Sequence, residues 1–324
     1  MSVPPRRELR AINGVFLLDK ASGYSSNASL QKVRRFFQAR KAGHTGSLDP
    51  LASGLLPVCF GEATKLSSYL LDTDKRYEVR VRLGAETDTA DVEGTITVVR
   101  PVPGLSGELI EQVLEGFRGA GSQIPPMYSA LKHEGQRLYD LARKGVEVDR
   151  PARPITIYEL NLLDFDATSL HLEVHCSKGT YIRTLAEDIG RTLQCGGHVE
   201  MLRRTRVGSF DIAAASTVDQ LESMGLDTAR QQLVPMDRLV DHMPVVELDQ
   251  SMSLQVCQGK PVRVPHGPPQ GWVRLYAATT PAFLGLGEVL GDGRIGPRRM
   301  FMGPQQFLAT EPAASAMQNH TAFD

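Results

Sequence analysis

Apolar and charged residues alternate without interruption between Lys75 and Leu83, and this is the clearest periodicity in the chain. Its two faces are Tyr77, Val79, Val81 and Leu83 on one side, and Arg76, Glu78, Arg80 and Arg82 on the other. A period of two residues predicts a β-strand that buries one face. Weaker patterns predict further strands at Gly14–Lys20, Leu55–Phe60, Thr95–Val99, Pro154–Phe165 and Leu170–Cys176, with the last two paired.

Helical spacing occurs in several segments between these strands. The first is a basic helix whose apolar face consists of Leu30, Val33, Phe36 and Phe37. Further helices are predicted at Glu62–Leu71, Glu108–Phe117, Leu138–Lys144 and Tyr181–Leu193, and Val199–Phe210 is expected to be mostly extended. Strands and helices mix without a regular βαβ rhythm, so the pattern favours an α+β fold with a mixed, largely antiparallel sheet.

The pattern changes near residue 245. After a short helical stretch that ends near Leu239, short strand-like runs alternate with Gly and Pro as far as Phe301, as is typical of a small β-barrel. The last segment is rich in Ala, Gln and Thr without a period, as in disordered tails. The predicted organisation is a flexible N-terminus at 1–11, a large α+β domain at 12–244, a β-barrel at 245–303 and a disordered tail at 304–324.

Charge is distributed unevenly along the 324 residues. Residues 1–70 contain ten Lys or Arg and four Asp or Glu, whereas the whole chain has a net charge of −1. A basic face on an otherwise acidic protein suits the binding of a polyanion such as a nucleic acid. A solvated helix surface would have the same composition, and charge alone does not separate the two interpretations.

Several classes of site are not indicated by the sequence. The four cysteines, Cys59, Cys176, Cys195 and Cys257, are far apart and disfavour both structural zinc and a disulfide framework. The acidic segment Asp88–Gly94 lacks the spacing of a calcium loop, and no glycine motif for a nucleotide cofactor occurs. There is also no apolar run of about 18 residues. We therefore expect a cytoplasmic protein that needs neither metal nor cofactor and does not contact a membrane.

The glycine-rich segment Gly43–Gly54 has no period, is expected to be a loop, and contains the first candidate for chemistry, Asp49. Pro50 biases Asp49 away from helical backbone, and the glycines allow a ligand to approach the main chain closely. An aspartate before proline in a loop is most often a turn residue. The neighbouring His44 and Thr45 and the basic flanking residues favour a second interpretation, in which an ionised carboxylate serves as nucleophile or base.

Two further segments combine cations with turns or strands. In Ser177–Arg183 a glycine turn leads into a helix whose first turn carries Arg183. This placement opposes the helix dipole and would be explained by pairing with a distant carboxylate, although a solvent-facing arginine is the alternative. Farther along, Leu202, Arg204 and Arg206 would share one face of a strand. That arrangement suits a phosphate backbone, and an edge strand protected by charge is the alternative.

The segment around Asp49 resembles the central motif of the TruB family of tRNA pseudouridine synthases. The resemblance rests on Gly43–Pro57 and Gly61–Lys65, and on blocks in the family's order at Leu18–Lys20, Tyr77, Pro125–Lys132, Lys178–Arg183 and Leu202–Gly208. Together these blocks span residues 14–210, and a fixed order over such a length is specific. Ser47 stands where threonine is more usual in the family, but it keeps the hydroxyl group.

The resemblance implies a pseudouridine synthase catalytic domain and, from weaker motifs, a PUA-like RNA-binding domain at 245–303. Members of the family isomerise the uridine at position 55 in the T loop of tRNA, and they flip this base out of the loop to reach it. The expected partner is therefore the T arm of tRNA. The resemblance favours a stand-alone monomer that uses no guide RNA and no cofactor.

The same resemblance assigns roles to individual side chains. Asp49 would be the nucleophile that breaks the C1′–N1 bond before the base rejoins the ribose through C5. Arg183 would hold Asp49 ionised and oriented, and Tyr77 would stack on the uracil and take the C5 proton. The residues that would bind the substrate are His44, which would fill the space left by the flipped base, Leu202, which would form an apolar wall, and Lys20 and Tyr181, which would shape the pocket.

Other interpretations of the sequence stay open. An RNA-binding module or tRNA-folding chaperone without catalysis would share the basic segment and the barrel, but it would not need Asp49, Tyr77 and Arg183 together. A synthase with another RNA target is a second alternative, although guide-dependent relatives usually carry longer basic extensions. Attack at C1′, attack at C6 and a glycal route all require the same carboxylate.

Overall fold

The computed structural model describes residues 9–280 and 282–310. Within them the chain divides into two compact units between Met236 and Asp237. The domain limits at 12, 244 and 303 that the sequence suggests stay predictions. Residues 1–8 of the expected N-terminal segment and residues 311–324 of the expected tail lie outside the described residues.

The first unit contains a large sheet with helices packed against it. Its strands are β1 (Gly14–Lys20), β2 (Ala42–His44), β3 (Ser53–Phe60), β4 (Lys75–Leu83), β5 (Ala85–Thr87), β6 (Ile96–Val99), β7 (Gly119–Gln123), β8 (Lys132–His133), β9 (Gln136–Arg137), β10 (Arg153–Phe165), β11 (Ser169–Cys176), β12 (Gly197–Val207) and β13 (Phe210–Asp211). Its α-helices are α1 (Ser26–Phe37), α2 (Ser67–Leu71), α3 (Gly107–Glu115), α4 (Leu138–Ala142), α5 (Ile182–Thr192), α6 (Val218–Met224) and α7 (Leu226–Gln231). Two 3₁₀ helices, Gly61–Lys65 and Ile212–Ala214, complete this unit, and a third, Met236–Val240, spans the division.

Nine strands form the main sheet, in the order β1-β3-β12-β4-β11-β10-β7, with β2 paired to β3 and β13 paired to β12. The described strand pairs of this sheet are antiparallel except β3 with β12, which run parallel at Arg203↔Ser53 and Arg204↔Gly54. The predicted α+β class with a mixed, largely antiparallel sheet is therefore confirmed. The parallel contact joins the two halves of the sheet beside the loop that contains Asp49.

The alternation of apolar and charged residues in β4 buries one face of the strand, as the sequence predicts. Val79 and Val81 are buried, whereas Arg80 between them is exposed, and the bounds Lys75–Leu83 agree with the prediction. Helix α1 begins after Ser25, whose side chain accepts a hydrogen bond from the amide of Ala28, and ends before Gln38 in left-handed conformation. Its apolar face covers the sheet in the core. The helix predicted at Glu62–Leu71 is instead a 3₁₀ helix followed by the short α2.

The second unit contains a sheet with the order β14 (Val245–Leu248), β15 (Trp272–Ala277), β16 (Ala282–Val289) and β17 (Ile295–Met300). Among the described residues this sheet does not close into the predicted barrel. Helix α8 (Gln250–Cys257) occupies part of the segment that was expected to be all strand, and Val262 contributes only an isolated bridge to Ile295. Asp249 caps α8 by accepting from the amide of Met252, a local signal that the strand-like pattern obscured.

The expectation of a disordered tail from residue 304 is wrong for its first part. Residues Pro304–Thr310 form helix α9. Phe307 in this helix is completely buried and belongs to the core of the second unit, together with Val256 of α8 and Leu275 of β15. Burial of one aromatic ring, which composition alone does not reveal, explains why these residues are ordered.

Candidate active site

The loop between β2 and β3 holds Asp49, and several hydrogen bonds fix it to the chain segment that precedes and begins α1. Ser26 donates from Oγ to the Leu48 carbonyl (2.9 Å) and accepts at Oγ from the Leu48 amide (2.7 Å). The Gly23 amide donates to the Pro50 carbonyl at 2.8 Å. Both residues that flank Asp49 are thus held by main-chain contacts, so the carboxylate position is defined by the fold.

Arg183 reaches this carboxylate from the first turn of α5. Its Nε lies 3.0 Å from Oδ2 of Asp49, and 6 % of the Arg183 side chain is exposed, compared with 41 % for Asp49. The expected pairing of Arg183 with a distant carboxylate is therefore confirmed, and the solvent-facing alternative is wrong. The Asp49 carboxylate remains open to a ligand on the side away from Arg183.

The remaining Arg183 donors bind two further segments. Nη2 donates to the Tyr128 carbonyl at 2.6 Å, and Nη1 donates to the Thr89 carbonyl at 2.9 Å. Nη1 also lies 3.5 Å from Oδ2 of Asp91. A planar guanidinium with donors on three nitrogens is rigid once all three are used, so Arg183 presents Nε to Asp49 in one orientation.

Asp91 is a site residue that the sequence reasoning missed. Its side chain is 5 % exposed and accepts from the Thr89 hydroxyl (2.6 Å) and the Glu93 amide (3.1 Å) at Oδ1, which leaves Oδ2 for Arg183. The segment Asp88–Gly94 was considered only as a calcium loop. Two features of the sequence could have indicated Asp91. It lies in an acidic turn, and Arg183 stands at a helix N-terminus, where a cation needs a carboxylate partner.

The charge of Asp49 depends on opposing effects. Loss of hydration inside the protein raises the pKa of its carboxyl, the Arg183 guanidinium lowers it, the Asp91 carboxylate raises it, and the Lys20 ammonium lowers it. Arg183 is the strongest of the influences that favour the ionised form. The site therefore combines a partly buried carboxylate with a cation that keeps it available as a nucleophile or base.

Tyr77 lies at the centre of the sheet, where β4 places it opposite Arg204 of β12 and Val174 of β11. It packs against the core of the first unit and is partly buried. Burial raises the pKa of Tyr77 to about 12, while the positive charge of the Arg204 guanidinium acts in the opposite direction. The phenol is neutral at pH 7.

Lys20 is buried and its ammonium binds three carbonyl groups. Nζ donates to Ala21 (2.9 Å), Tyr24 (2.6 Å) and Pro50 (3.4 Å). Burial lowers the pKa of Lys20 to about 8, and the Asp49 carboxylate opposes this shift. Lys20 thus joins the end of β1 to the loop and places a cation behind Asp49.

The other expected pocket residues occupy different positions around the same loop. Burial and the Arg204 cation lower the pKa of His44, so its ring is neutral at pH 7. Tyr181 precedes α5, and its amide donates to Oε1 of Gln123 at 2.9 Å. Leu202 is buried beside Val79, on the face of the sheet that also carries Tyr77.

The arginine strand departs from its predicted arrangement. Arg204 is buried rather than available to phosphate, and Arg203 forms an ion pair with Asp19 at 2.7 Å. A bulge between Arg204 and Arg206 breaks the alternation, and Arg206 is exposed. The expectation that Arg204 and Arg206 share a face that binds phosphate is therefore wrong, because it assumed a regular strand with a period of two residues.

Comparisons with known proteins show which family this chain is similar to. Family models match successive parts of the chain: TruB family pseudouridylate synthase (N terminal domain) at 34–182, tRNA pseudouridylate synthase B C-terminal domain at 183–241, and Pseudouridine synthase II TruB, C-terminal at 244–301. A tRNA pseudouridine synthase B from Nitrosococcus oceani is 50 % identical over 89 % of this chain and 94 % of its own length. The chain belongs to the TruB family of pseudouridylate synthases. A relative of the same name from Coxiella burnetii is also 50 % identical, over 91 % of this chain and 97 % of its own length.

Solved structures with a similar fold cover most of this TruB-family chain. A crystal structure of a Cbf5-Nop10-Gar1 complex matches with a TM-score of 0.68 and 25 % identity, covering 91 % of this chain and 86 % of that one. An H/ACA RNP bound to a substrate RNA containing 2′-deoxyuridine matches with a TM-score of 0.67 and 25 % identity, covering 90 % and 86 %. As a member of the family, the chain is a pseudouridine synthase and hence an isomerase.

The described residues contain neither a membrane-spanning helix nor a metal-binding cluster. Within residues 9–280 and 282–310, no helix has the length and apolarity needed to cross a bilayer. In the same part of the chain, no three His, Cys, Asp or Glu side chains are grouped so as to hold a metal ion. The carboxylate of Asp49 instead has cations, Arg183 and Lys20, as its charged neighbours of opposite sign.

Proposed function

We propose that this synthase converts uridine 55 in the T loop of tRNA into pseudouridine. The observation that carries the proposal is the Asp49–Arg183 ion pair at 3.0 Å, set in the loop that bears the family motif. Relatives about half identical over nine-tenths of the chain are named tRNA pseudouridine synthase B, which supports tRNA as the substrate. Because tRNA would be the substrate, we also propose that the enzyme acts in the cytoplasm.

Asp49 is the proposed nucleophile. Its attack separates uracil from the ribose by breaking the C1′–N1 bond, after which the base rotates and bonds to C1′ through C5. Attack at C1′, attack at C6 and base-catalysed glycal formation all use an ionised carboxylate at this position. Arg183 supports each route, because its guanidinium favours the ionised form against the burial that raises the pKa of Asp49.

The uridine must leave the folded T loop before Asp49 can reach it. In the proposed complex, Tyr77 stacks on the extruded uracil, and its oxygen takes the proton that leaves C5 as the phenol gives up its own proton to solvent. N1, released from C1′, gains a proton from solvent, so the reaction has no net proton change. His44, neutral at pH 7, fills the space that the base vacates. Leu202 provides an apolar wall that limits the access of water to the detached base. Lys20 and Tyr181 shape the pocket from the loop and from the start of α5.

Surfaces around the site suit the T arm. Tyr139 at the start of α4 lies between Arg137 and Arg143, with ring-to-guanidinium distances of 5.7 and 5.5 Å, in a pocket that Lys132 and Lys144 also line. Aromatic rings among cations are typical of RNA-binding surfaces. We propose that this hairpin and residues 245–303, as a PUA-like domain, bind a tRNA to a monomer that uses no guide RNA.

A binding protein without catalysis, which the sequence left open, does not agree with membership of a family of synthases. It would need the cationic surfaces but not a buried guanidinium that pairs with Asp49 and is held in place by the Thr89 and Tyr128 carbonyls. A synthase that modifies another RNA would keep the whole site. An assay for catalysis tests the binding protein, and the position of pseudouridine in the product tests the synthase with another RNA target.

The experiment is release of tritium from tRNA labelled at C5 of uracil. We expect release with the wild-type enzyme and none with Asp49→Asn, which preserves shape but removes the ionisable carboxylate. Mapping of pseudouridine in the product tests the position. Turnover by Asp49→Asn would contradict the nucleophile assignment, and pseudouridine at a position other than 55 would contradict the substrate assignment.

A further inference from the structure

Among the described residues, Arg204 is the largest side chain that the fold buries almost completely, with 2 % of its surface exposed. Its main chain on β12 lies between Gly54 of β3 and Tyr77 of β4. The guanidinium donates from Nε to the Leu55 carbonyl at 2.8 Å and from Nη2 to the Gly46 carbonyl at 3.1 Å. Tyr77 is the cross-strand neighbour of Arg204 on β4, and the guanidinium interacts electrostatically with its phenol oxygen. One buried side chain therefore joins three segments of the site.

The electrostatic environment of Arg204 is unusual for a buried guanidinium. Within the described part of the chain, no carboxylate forms an ion pair with it, and the Tyr77 phenol is the group that opposes the loss of hydration. A buried cation without an anion carries a desolvation penalty. A neutral side chain of similar volume would fill the space without this penalty, so the cation calls for a role beyond packing.

The three groups beside the Arg204 guanidinium indicate what that role is. Gly46 lies in the loop three residues before Asp49, Leu55 follows the loop at the start of β3, and Tyr77 on β4 is close enough to Asp49 for the carboxylate to raise the pKa of its phenol. Gly54 makes the arrangement possible, because a Cβ atom there would lie 2.2 Å from the Arg204 carbonyl oxygen. The rigid guanidinium plane thus sets the spacing between the Asp49 loop and the Tyr77 oxygen.

We propose that Arg204 is a positioning residue of the isomerisation, which holds the Tyr77 oxygen and the Asp49 loop in one geometry around the uracil. It acts through Tyr77 and does not contact the substrate. The inference rests on the proposed function, in which Tyr77 acts on the flipped base. The cation beside the phenol also favours negative charge on its oxygen, against the burial that disfavours such charge.

A double-mutant cycle between Arg204 and Tyr77 tests this proposal. Arg204→Met removes the donors and the buried charge at similar volume. Arg204→Lys keeps the charge but loses the planar guanidinium with its several donors. Tyr77→Phe keeps the ring but removes the oxygen. Single-turnover rates and Kd values for tRNA are measured for each variant and for the combinations. Because removal of the buried charge relieves the desolvation penalty, Arg204→Met is the variant on which the test depends if Arg204→Lys folds poorly.

We expect both Arg204 variants to lower the single-turnover rate by about 10- to 100-fold, the size of a lost hydrogen bond to a charged group, with little change in Kd. In the Tyr77→Phe background the same substitutions should have little further effect. Arg76→Met is the control, because Arg76 precedes Tyr77 on β4 but forms ion pairs with Glu159 and Glu173. We expect it to keep the wild-type rate.

An equal loss of rate in the wild-type and Tyr77→Phe backgrounds would overturn the inference, since Arg204 would then act through the fold alone. A Tyr77→Phe enzyme with the wild-type rate would also overturn it, while leaving the proposed reaction intact. Failure of the wild-type enzyme to form pseudouridine in tRNA would instead contradict the proposed function. The three results are distinguishable in one set of assays.

Discussion

At Asp49, a single arginine decides whether a carboxyl that loses hydration remains useful for catalysis. Arg183 binds Asp49 through Nε and uses its other nitrogens on main-chain carbonyls and Asp91. Lysine in its place would offer one ammonium group to acceptors that lie in several directions. The contribution of Arg183 therefore depends on the shape of the guanidinium as well as on its charge.

Arg183→Lys tests this dependence. We expect the single-turnover rate to fall by about 100-fold or more, because at least one hydrogen bond between charged groups is lost at the reacting carboxylate. The affinity for tRNA should change little, since Arg183 is buried beneath the site. Rapid-quench rates and filter-binding affinities measure the two effects, and a parallel loss of affinity would show that Arg183 binds phosphate instead.

Asp91 affects both the position of Arg183 and the charge of Asp49. Its carboxylate raises the pKa of Asp49, so Asp91→Asn should lower this pKa. The acidic limb of the rate profile, where Asp49 becomes protonated, should then move to lower pH. The plateau rate should fall by about 10-fold, because Arg183 loses one charged partner. A pH–rate profile of both enzymes checks the prediction, and a limb displaced to higher pH would contradict it.

Local sequence patterns indicated two of these residues and missed the burial of two others. Asp49 and Arg183 stand in segments with unusual features, namely a glycine-rich loop and a cation at a helix N-terminus, so the sequence indicated both. Asp91 and Arg204 look like ordinary surface charges in sequence. Their burial depends on which strands become neighbours and on a bulge in β12, and neither is encoded in a short window.

Among the elements, the junction of β3 and β12 has a strict steric requirement at Gly54. Gly54 has φ of 102°, and a Cβ atom there would lie 2.2 Å from the Arg204 carbonyl oxygen. Because this contact involves main chain, a small side chain would force the strands apart. The junction carries Leu55 and Arg204, so separation would also disturb the loop of Asp49.

Gly54→Ala should therefore destabilise the fold by about 3 kcal/mol or more, a value typical of strain at a special backbone position. Gly43→Ala is the matched control, since the nearest neighbour of its Cβ would be Thr64 at 3.9 Å, an ordinary contact distance. Thermal and urea unfolding of both variants measure the difference. Similar stability of the two would show that the strands adjust without cost.

The elements that the sequence predicted well are those whose burial pattern is simple. Strands β1 and β4 have the predicted bounds, and β10 and β11 pair as expected. The parallel pairing of β3 with β12 was not predicted, because it connects residues about 150 positions apart. Helices α8 and α9 were missed because each is short and is stabilised by packing in the second unit, such as burial of Phe307.

For the whole molecule, the basic N-terminal segment is less of a binding surface than its composition suggests. Lys20 is buried, and Arg34 donates to the carbonyls of Ala39 and Arg40. Lys32 is exposed and lies 4.0 Å from the ring centroid of Tyr24. Part of the positive charge is therefore structural, and RNA affinity should depend on additional surfaces, including the second unit.

A chain that ends at Pro244 tests this division of roles. It lacks the sheet of the second unit but keeps Asp49, Tyr77 and Arg183 with their contacts. We expect whole tRNA to bind about 10-fold more weakly or worse, with a smaller dependence on salt, because fewer phosphates are neutralised. The rate on a minimal T-arm stem-loop at saturation should be unchanged, since the proposed catalytic residues all belong to the first unit. If the shortened chain stays folded by circular dichroism but does not modify the stem-loop, the second unit would be part of the catalytic domain and the limit at 244 would be wrong.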